Sequence, residues 1–275
     1  METLLIVFFF AFGLIIGSFL NVVSLRYNTG VTLGGRSRCF SCNKHLRWYE
    51  LIPVLSYVAL RGRCSVCHSR ISPQYPLVEL LTGILFAGVY LKFGALLLIG
   101  PLSIAFLAYY LMVICLLVVI LVYDIRHKMI PDGLVYTFIL LGLLKMLFTL
   151  SLAAFAYPNL LDLLAGPILF LPFFLLWYFS KGTWMGFGDG KLAWGIGWFL
   201  GLSAGGSAIA LGFWTGAIVG VVLLAVGKFL RARKLTRRFS TIAALGLRSE
   251  VPFAPFLILG TLLVFFFSYN FFAFS

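Results

Sequence analysis

The sequence is poor in charged residues, and above all in acidic ones. Only 11% of the 275 residues are charged, with eight Asp and Glu against 21 Lys and Arg. Because 62% of the residues are hydrophobic, the chain lacks the polar residues that an ordinary soluble domain needs for its surface. Each of the few carboxylates therefore needs its own explanation, since an ionisable group in or beside a membrane segment is costly.

Long apolar runs take the place of the missing polar surface. Eight of them approach the roughly 20 residues that a helix needs to cross a bilayer. They predict an all-α polytopic membrane protein with about eight transmembrane helices, over residues 3–25, 76–91, 101–123, 133–150, 160–180, 192–202, 205–229 and 252–272. The second and sixth runs are short, and the sixth must extend back toward Asp189 in order to span. No basic segment precedes the first run, which is longer than a signal peptide, so we predict a retained helix.

The distribution of basic residues predicts the orientation. If the N-terminus lies outside, the inner connections are 26–75, 124–131, 181–191 and 228–250, and they hold 19 of the 21 Lys and Arg residues. We therefore predict that both termini lie outside and that these connections face the cytoplasm. The net charge of +13 then reflects topology and attraction to the lipid bilayer, and no nucleic-acid partner is predicted.

Four of the five cysteines form two Cys-x-x-Cys pairs in the only long polar connection. Two such pairs about twenty residues apart match a four-thiolate zinc site, with the ligands Cys39, Cys42, Cys64 and Cys67. A redox pair or four unrelated thiols are the alternatives, but a cytoplasmic position disfavours stable disulfides. A connection this short buries little core, so one structural zinc ion would supply its fold. The predicted domains are a first helix (1–25), a cytoplasmic zinc-binding loop (26–75) and a seven-helix membrane domain (76–275).

Two aspartates lie at the inner ends of predicted helices. Asp124 ends the third apolar run, where the helix dipole disfavours negative charge. Asp189 lies in the segment Gly-Phe-Gly-Asp-Gly-Lys at 186–191, whose glycines fit neither a dinucleotide turn nor a Walker loop and instead indicate close backbone approach. If the chain brings the two carboxylates together, one can accept a proton from water while the other donates to a carbonyl oxygen, which is aspartyl peptide hydrolysis. A proton- or cation-coupled transporter with a structural zinc knuckle is the alternative at this point.

Two further acids near helix starts have a simpler interpretation. Asp132 follows Pro131 and precedes the fourth apolar run, so we predict that it caps a helix. Glu79 lies one turn into the second predicted helix, where the helix dipole favours a carboxylate. A partner in the basic loop or a role near the active site is the alternative for Glu79.

Taken in order, the motifs resemble those of the type IV prepilin peptidases, which are membrane aspartyl proteases of the Gly-x-Gly-Asp group. The resemblance covers nearly the whole chain. The matching segments are 17–23, the two Cys-x-x-Cys pairs, 52–57, 61–64, 71–79, Asp124 with 130–132, 186–192 and 252–257.

The resemblance implies that Asp124 and Asp189 are the catalytic pair, in a site that Gly186, Gly188 and Lys191 support. It implies that the substrates are precursors of type IV pilins and of the related pseudopilins of type II secretion. Their basic leader would be removed after a glycine, at the cytoplasmic face of the bacterial inner membrane.

The cysteine-bearing loop marks the family members that also methylate the new N-terminal amine with S-adenosylmethionine. Glu50 and Gly62 match loop positions associated with that methyl transfer. The family usually has a proline-rich basic stretch before the first cysteine, whereas residues 27–35 here contain no proline. The resemblance is therefore weaker where the leader would dock.

Overall fold

The structure is a computed structural model that describes residues 2–30, 32–94, 101–152, 158–232 and 252–271. Over these ranges the chain is helical, and its only β-structure is two isolated bridges. One 3₁₀ turn spans Trp48–Leu51. The α-helices are α1 (Glu2–Arg26), α2 (Leu55–Ala59), α3 (Gln74–Phe93), α4 (Pro101–His127), α5 (Asp132–Leu152), α6 (Pro158–Leu163), α7 (Ala165–Ser180), α8 (Phe187–Leu200), α9 (Leu202–Ala232) and α10 (Ala254–Phe267).

The helices confirm the prediction of an all-α multi-pass membrane protein. Five of them, α1, α3, α4, α5 and α9, are long and apolar enough to cross a bilayer. The 16 residues of α7 and the 14 residues of α8 and α10 reach only about 21–24 Å at 1.5 Å per residue. Each of the eight predicted runs contains a helix, and α8 extends back past Asp189 as expected. The number of crossings remains a prediction, because three of the eight helices are shorter than the hydrocarbon layer.

Contacts divide the chain into two compact units, Met1–Tyr123 and Asp124–Ser275. In the first unit, α1 packs closely against α3. A Cβ atom on Gly13 would lie 2.8 Å from the Cα of Gly83, and one on Gly17 would lie 2.8 Å from the Cα of Glu79. Glycine is therefore required at both contacts. The carboxylate of Glu79 accepts the N–H of Val54 over 2.8 Å, so its partner lies in the basic loop.

The second unit is built around α8. This helix contacts α5, α7, α9 and α10, and its residues Leu192, Ala193 and Ile196 are fully buried. A Cβ atom on Gly197 would lie 2.6 Å from the carbonyl oxygen of Ala165, so the start of α7 rests on the backbone of α8. The short helix α8 is thus held on several sides, and its first turn carries Asp189. The basic segment after α9 lies outside the described residues from position 233 to 251.

Candidate active site and metal centre

The two cysteine pairs lie in two copies of the same turn, offset by 25 residues (39 to 64). The N–H of Cys39 donates to the carbonyl of Lys44 over 3.0 Å, and the N–H of Cys64 donates to that of Ser69 over 2.9 Å. An isolated antiparallel bridge flanks each pair, between positions 38 and 45 and between 63 and 70. We call the two turns the first knuckle (38–45) and the second knuckle (63–70).

Each knuckle reverses through one residue in the left-handed region. These are Asn43, with φ of 55°, and His68, with φ of 54°. The two positions are again 25 residues apart, so His68 is the counterpart of Asn43 in the turn. Histidine and asparagine tolerate this conformation better than most residues with a side chain. His68 therefore has a conformational role that requires no metal binding.

The four predicted ligands form one cluster. The Sγ atoms of Cys39, Cys42, Cys64 and Cys67 all lie within 4.8 Å of one another. Those of Cys39 and Cys67 are 3.7 Å apart. Sulfurs bound to a tetrahedral zinc at about 2.3 Å would be separated by about 3.8 Å. The cluster fits a four-thiolate metal site, and no disulfide joins the cysteines of the described residues.

The thiols of the cluster differ in acidity. Backbone N–H groups of Cys42 and Ser41 lower the pKa of Cys39 to about 6. A backbone hydrogen bond from Lys44 also acts to lower the pKa of Cys42, but burial and the neighbouring thiols outweigh it and raise that pKa to about 11. A bound cation would remove this difference in acidity, because metal ligation allows all four thiols to be deprotonated together.

Glu50 joins the two knuckles. It is the only acidic residue between positions 26 and 75, and its side chain is only 2% exposed. The carboxylate accepts hydrogen bonds from Lys44 Nζ (2.8 Å), Ser65 Oγ (2.5 Å) and the N–H of Arg47 (2.8 Å). The Arg47 backbone contributes most, followed by Lys44 and Ser65, to lowering the pKa of Glu50 to about 2. Since Lys44 belongs to the first knuckle and Ser65 to the second, the carboxylate fixes one knuckle against the other.

Gly62 lies at the edge of an arginine-lined cavity. Its φ of 65° falls in the left-handed region, and a Cβ atom on it would lie 2.9 Å from the Oη of Tyr57. The cavity has a volume of about 340 Å³ and is lined by Tyr57, Gly62, Ile71, Pro73 and the arginines at 61, 63 and 70. Neither ion pair of the described residues involves these arginines. The lining suits an anionic group but provides no partner for the positive sulfonium of S-adenosylmethionine, so it does not by itself fit that methyl donor.

Asp189 lies in the first turn of α8, where glycine brings the backbone close to its carboxylate. Gly186 precedes the helix in an extended conformation, with φ of −72° and ψ of 143°. Its backbone forms a hydrogen bond with the Asp189 carboxylate. A Cβ atom on Gly186 would lie 3.4 Å from Asp189 Oδ2, and one on Gly188 would lie 3.0 Å from the Cβ of Ile130. This is the close backbone approach that the glycines predicted.

Asp124 lies near the end of α4 and is 4% exposed. Its carboxylate accepts a backbone hydrogen bond from Ala254, the first residue of α10. Its Oδ2 atom is buried and has no hydrogen-bond partner among the described residues. The charges of Asp124 and Asp189 interact, so the fold brings together two carboxylates that lie 65 positions apart. Both belong to the unit that begins at Asp124.

The hydrogen bond from Ala254 is a contact that the sequence did not predict. A backbone N–H has no residue-type signature, so no pattern in the sequence marks this particular donor. The available signal is the pair of prolines at 252 and 255, which indicates where the last helix can begin but not what its first N–H groups contact. In the structure α10 begins between these prolines, and its free first N–H groups are available to a carboxylate.

Lys191 contacts Asp132, and this contact corrects the predicted role of Asp132. Lys191 Nζ lies 2.6 Å from Asp132 Oδ1, with the rings of Tyr136 and Phe187 at 4.8 and 4.9 Å. Asp132 is the first residue of α5, not the residue before it. Its carboxylate makes no capping hydrogen bond to the described part of α5. The predicted N-cap was therefore wrong, because the buried ammonium of Lys191 is a stronger partner for this carboxylate than the helix N–H groups.

Comparisons with known proteins place the two units in one family. The model of the bacterial peptidase A24 N-terminal domain matches residues 11–93, and that of the type IV leader peptidase family matches residues 110–224. Three similar proteins are each named prepilin leader peptidase/N-methyltransferase. The one from Myxococcus xanthus is 37% identical, and the alignment covers 81% of this chain and 64% of that protein. Those from Bacillus subtilis (31% identical, 93% of this chain, 92% of that protein) and Burkholderia pseudomallei (32%, 94% and 84%) align over more of their length. No solved structure matches.

Proposed function

The chain belongs to the type IV leader peptidase family, and on that premise we propose that Asp124 and Asp189 form its peptidase site. The observation that carries the proposal is the pairing of two carboxylates in the second unit, one of which has a buried oxygen with no partner among the residues that the structure describes. A buried polar atom left unpaired is rare in a folded protein and calls for a functional explanation. A water molecule bound for reaction would supply the missing partner.

The chemistry follows from the proximity of the two groups. Two neighbouring carboxylates cannot both ionise easily, so the pair holds one charged and one protonated group. The charged group accepts a proton from water as the water oxygen bonds to the scissile carbonyl carbon. The protonated group gives its proton to the carbonyl oxygen, and the resulting tetrahedral diol collapses when a proton is returned to the leaving amine. Hydrogen bonds from the backbones of Gly186 and Ala254 would hold the two carboxylates in place.

We propose that the substrates are prepilins, as the names of the relatives indicate, and pseudopilins of type II secretion. The basic leader would be cut off after a glycine at the cytoplasmic face of the inner membrane. This orientation places the four most basic connections inside and both termini outside, in line with the positive-inside rule. The apolar part of the substrate would remain among membrane helices while its scissile bond reaches the aspartates.

We also propose that the chain methylates the new N-terminus with S-adenosylmethionine and that one zinc ion holds the loop 26–75 in shape. The ion would bind Cys39, Cys42, Cys64 and Cys67, and a site closed by four thiolates is structural because it has no open position. Glu50 would act by fixing the knuckles, and Gly62 by leaving room for the Tyr57 ring in the wall of the arginine-lined cavity.

Cleavage of a defined substrate tests the proposed function. The purified protein in lipid vesicles is incubated with a prepilin, with and without S-adenosylmethionine. Mass spectrometry should show a leader that ends in glycine, and a mature N-terminus that gains one methyl group only when the donor is present. Solute flux across the vesicles without cleavage would support the transporter instead. Cleavage without methyl transfer would confine the proposal to the peptidase.

A further inference from the structure

The first turn of α8 rests on the linker between α4 and α5. The linker leaves α4 just after Asp124, where the N–H of Lys128 donates to the Asp124 carbonyl over 2.7 Å. It then passes Ile130, whose Cβ would lie 3.0 Å from a Cβ on Gly188. At its end, Asp132 pairs with Lys191 over 2.6 Å. Thus the segment 124–132 begins at one aspartate of the pair and ends in an ion pair with α8, the helix that carries the other aspartate.

The two partners of this ion pair differ in environment. The Lys191 side chain is 10% exposed and that of Asp132 is 66% exposed. Lys191 also lies over the rings of Tyr136 and Phe187, beside a small cavity of about 150 Å³. An ion pair that is half open to solvent adds little to the stability of a fold. The pair therefore contributes more through the geometry that it fixes than through the stability that it adds.

We propose that the Asp132–Lys191 ion pair is a positioning clamp that sets the distance between the Asp124 and Asp189 carboxylates. Asp132 directly follows the α4–α5 linker, and Lys191 is the fifth residue of α8, two residues after Asp189. Residues two apart on a helix point in different directions, so Lys191 acts through the backbone of α8 and not by touching the reacting atoms. This inference rests on the proposed peptidase function.

The shape of the pH–activity profile tests the clamp. Two coupled carboxylates are active over the pH range in which the pair holds a single proton, and that range widens as the groups come closer. Asp132→Asn removes the ion pair and lets the first turn of α8 move away from the linker. We expect kcat/KM to fall about tenfold and the pH–activity profile to become narrower. A merely structural loss would lower the amount of folded protein and leave the profile unchanged.

Conservative variants and a double-mutant cycle sharpen the test. Asp132→Glu and Lys191→Arg keep the ion pair, and the cavity beside Lys191 leaves room for the larger guanidinium. Both should recover most of the activity and the width of the profile. In a cycle of Asp132→Asn with Lys191→Met, the double variant should lose about as much as either single one, because they break one interaction. The conservative variants would still test the clamp if Asp132→Asn failed to insert.

The results separate the clamp from the peptidase site itself. Equal profiles for Asp132→Asn and wild type, or additive losses in the cycle, would refute the clamp. If Asp124→Asn also kept its activity, the proposed aspartyl mechanism would fail as well. If Asp124→Asn were inactive while Asp132→Asn behaved as wild type, only the clamp would fail.

Discussion

Two buried carboxylates, Glu50 in the cysteine-bearing loop and Asp124 at the end of α4, differ in their hydrogen bonding. Glu50 accepts hydrogen bonds from three groups, which are two side chains and one backbone N–H. Asp124 accepts one from a backbone N–H, and its Oδ2 has no partner among the described residues. A buried carboxylate whose partners are complete stabilises the structure, whereas an incomplete one is free to bind a further group. The difference separates a residue that organises the fold from one available for chemistry.

The strongest test of this comparison removes the ionisable group from each aspartate of the pair in turn. Asp124→Asn and Asp189→Asn should each lower prepilin cleavage by about 10³-fold, because each removes a group that transfers a proton. Glu2→Gln, at the exposed start of α1, serves as the control for loss of one carboxylate. Cleavage is measured as the rate of leader release, with insertion checked by membrane fractionation. Substantial cleavage by either Asn variant would mean that the aspartate pair is not catalytic, and Asp124 would then no longer differ in function from Glu50.

Removing a knuckle tests whether the loop depends on metal. Replacing Cys39 and Cys42 by Ser should abolish zinc binding, since a structural zinc contributes about 10 kcal/mol or more to folding. Because the knuckles are equivalent, replacing Cys64 and Cys67 should have the same effect. Elemental analysis should find about one zinc per wild-type chain and none in either variant. Limited proteolysis should then cut the variants within 26–75. A wild-type protein purified without metal would favour the redox alternative.

Glu50→Gln tests whether a carboxylate with complete partners is structural. The Gln side chain keeps the shape but loses the charge that Lys44 pairs with, so the loop should weaken by about 2 kcal/mol. The pKa of Glu50 is lowered to about 2 in the fold, below its ordinary value of about 4.3. Its stabilising effect is therefore fully present at neutral pH and is lost as the pH falls from about 4.3 toward the folded value.

The measurement for Glu50→Gln is the rate at which a chelator removes zinc at neutral pH. We expect faster removal than from wild type, with prepilin cleavage retained. Glu50→Asp keeps the charge on a shorter side chain, and its rate of zinc removal should lie between those of wild type and Glu50→Gln. A complete loss of methyl transfer with unchanged zinc removal would instead make Glu50 a direct participant in that reaction.

Gly62→Ala should have the smallest effect on stability. A side chain at φ of 65° costs about 1 kcal/mol, and the new Cβ would push the Tyr57 ring away. We expect methyl transfer to fall while cleavage of the same prepilin continues. Gly34→Ala is a suitable control, because nothing lies within 4 Å of its Cβ position and its φ is not in the left-handed region. If Gly62→Ala and Gly34→Ala transfer methyl groups equally well, the arginine-lined cavity has no role in methyl transfer.

The parts of the structure that the sequence predicted are those that depend on residue type. Hydropathy located each of the five described helices that are long enough to cross a bilayer, because apolar side chains are what a bilayer selects. The spacing of the cysteines predicted the cluster, because a tetrahedral metal needs four ligands and few other arrangements place thiols this way. Glycine beside Asp189 likewise predicted close approach of the backbone.

The remaining features depend on neighbours that only the fold brings together. The donor to Asp124 is the main-chain N–H of Ala254, 130 positions away (124 to 254). Asp132 has the sequence of a helix cap, yet the buried Lys191 is its partner, and the two are 59 positions apart. Local preference was overridden in this case by a tertiary ion pair, which no short-range pattern contains.

The repetition of the two knuckles also raises a question of symmetry. Four thiolates around one ion cannot distinguish the first knuckle from the second, so the metal alone would accept them in either order. Glu50 removes this degeneracy, because its two side-chain donors are not repeated. At an offset of 25, Lys44 corresponds to Ser69, and Ser65 corresponds to Phe40. A single carboxylate thus gives a symmetric metal site a unique direction, and with it a unique path for the chain that enters and leaves the loop.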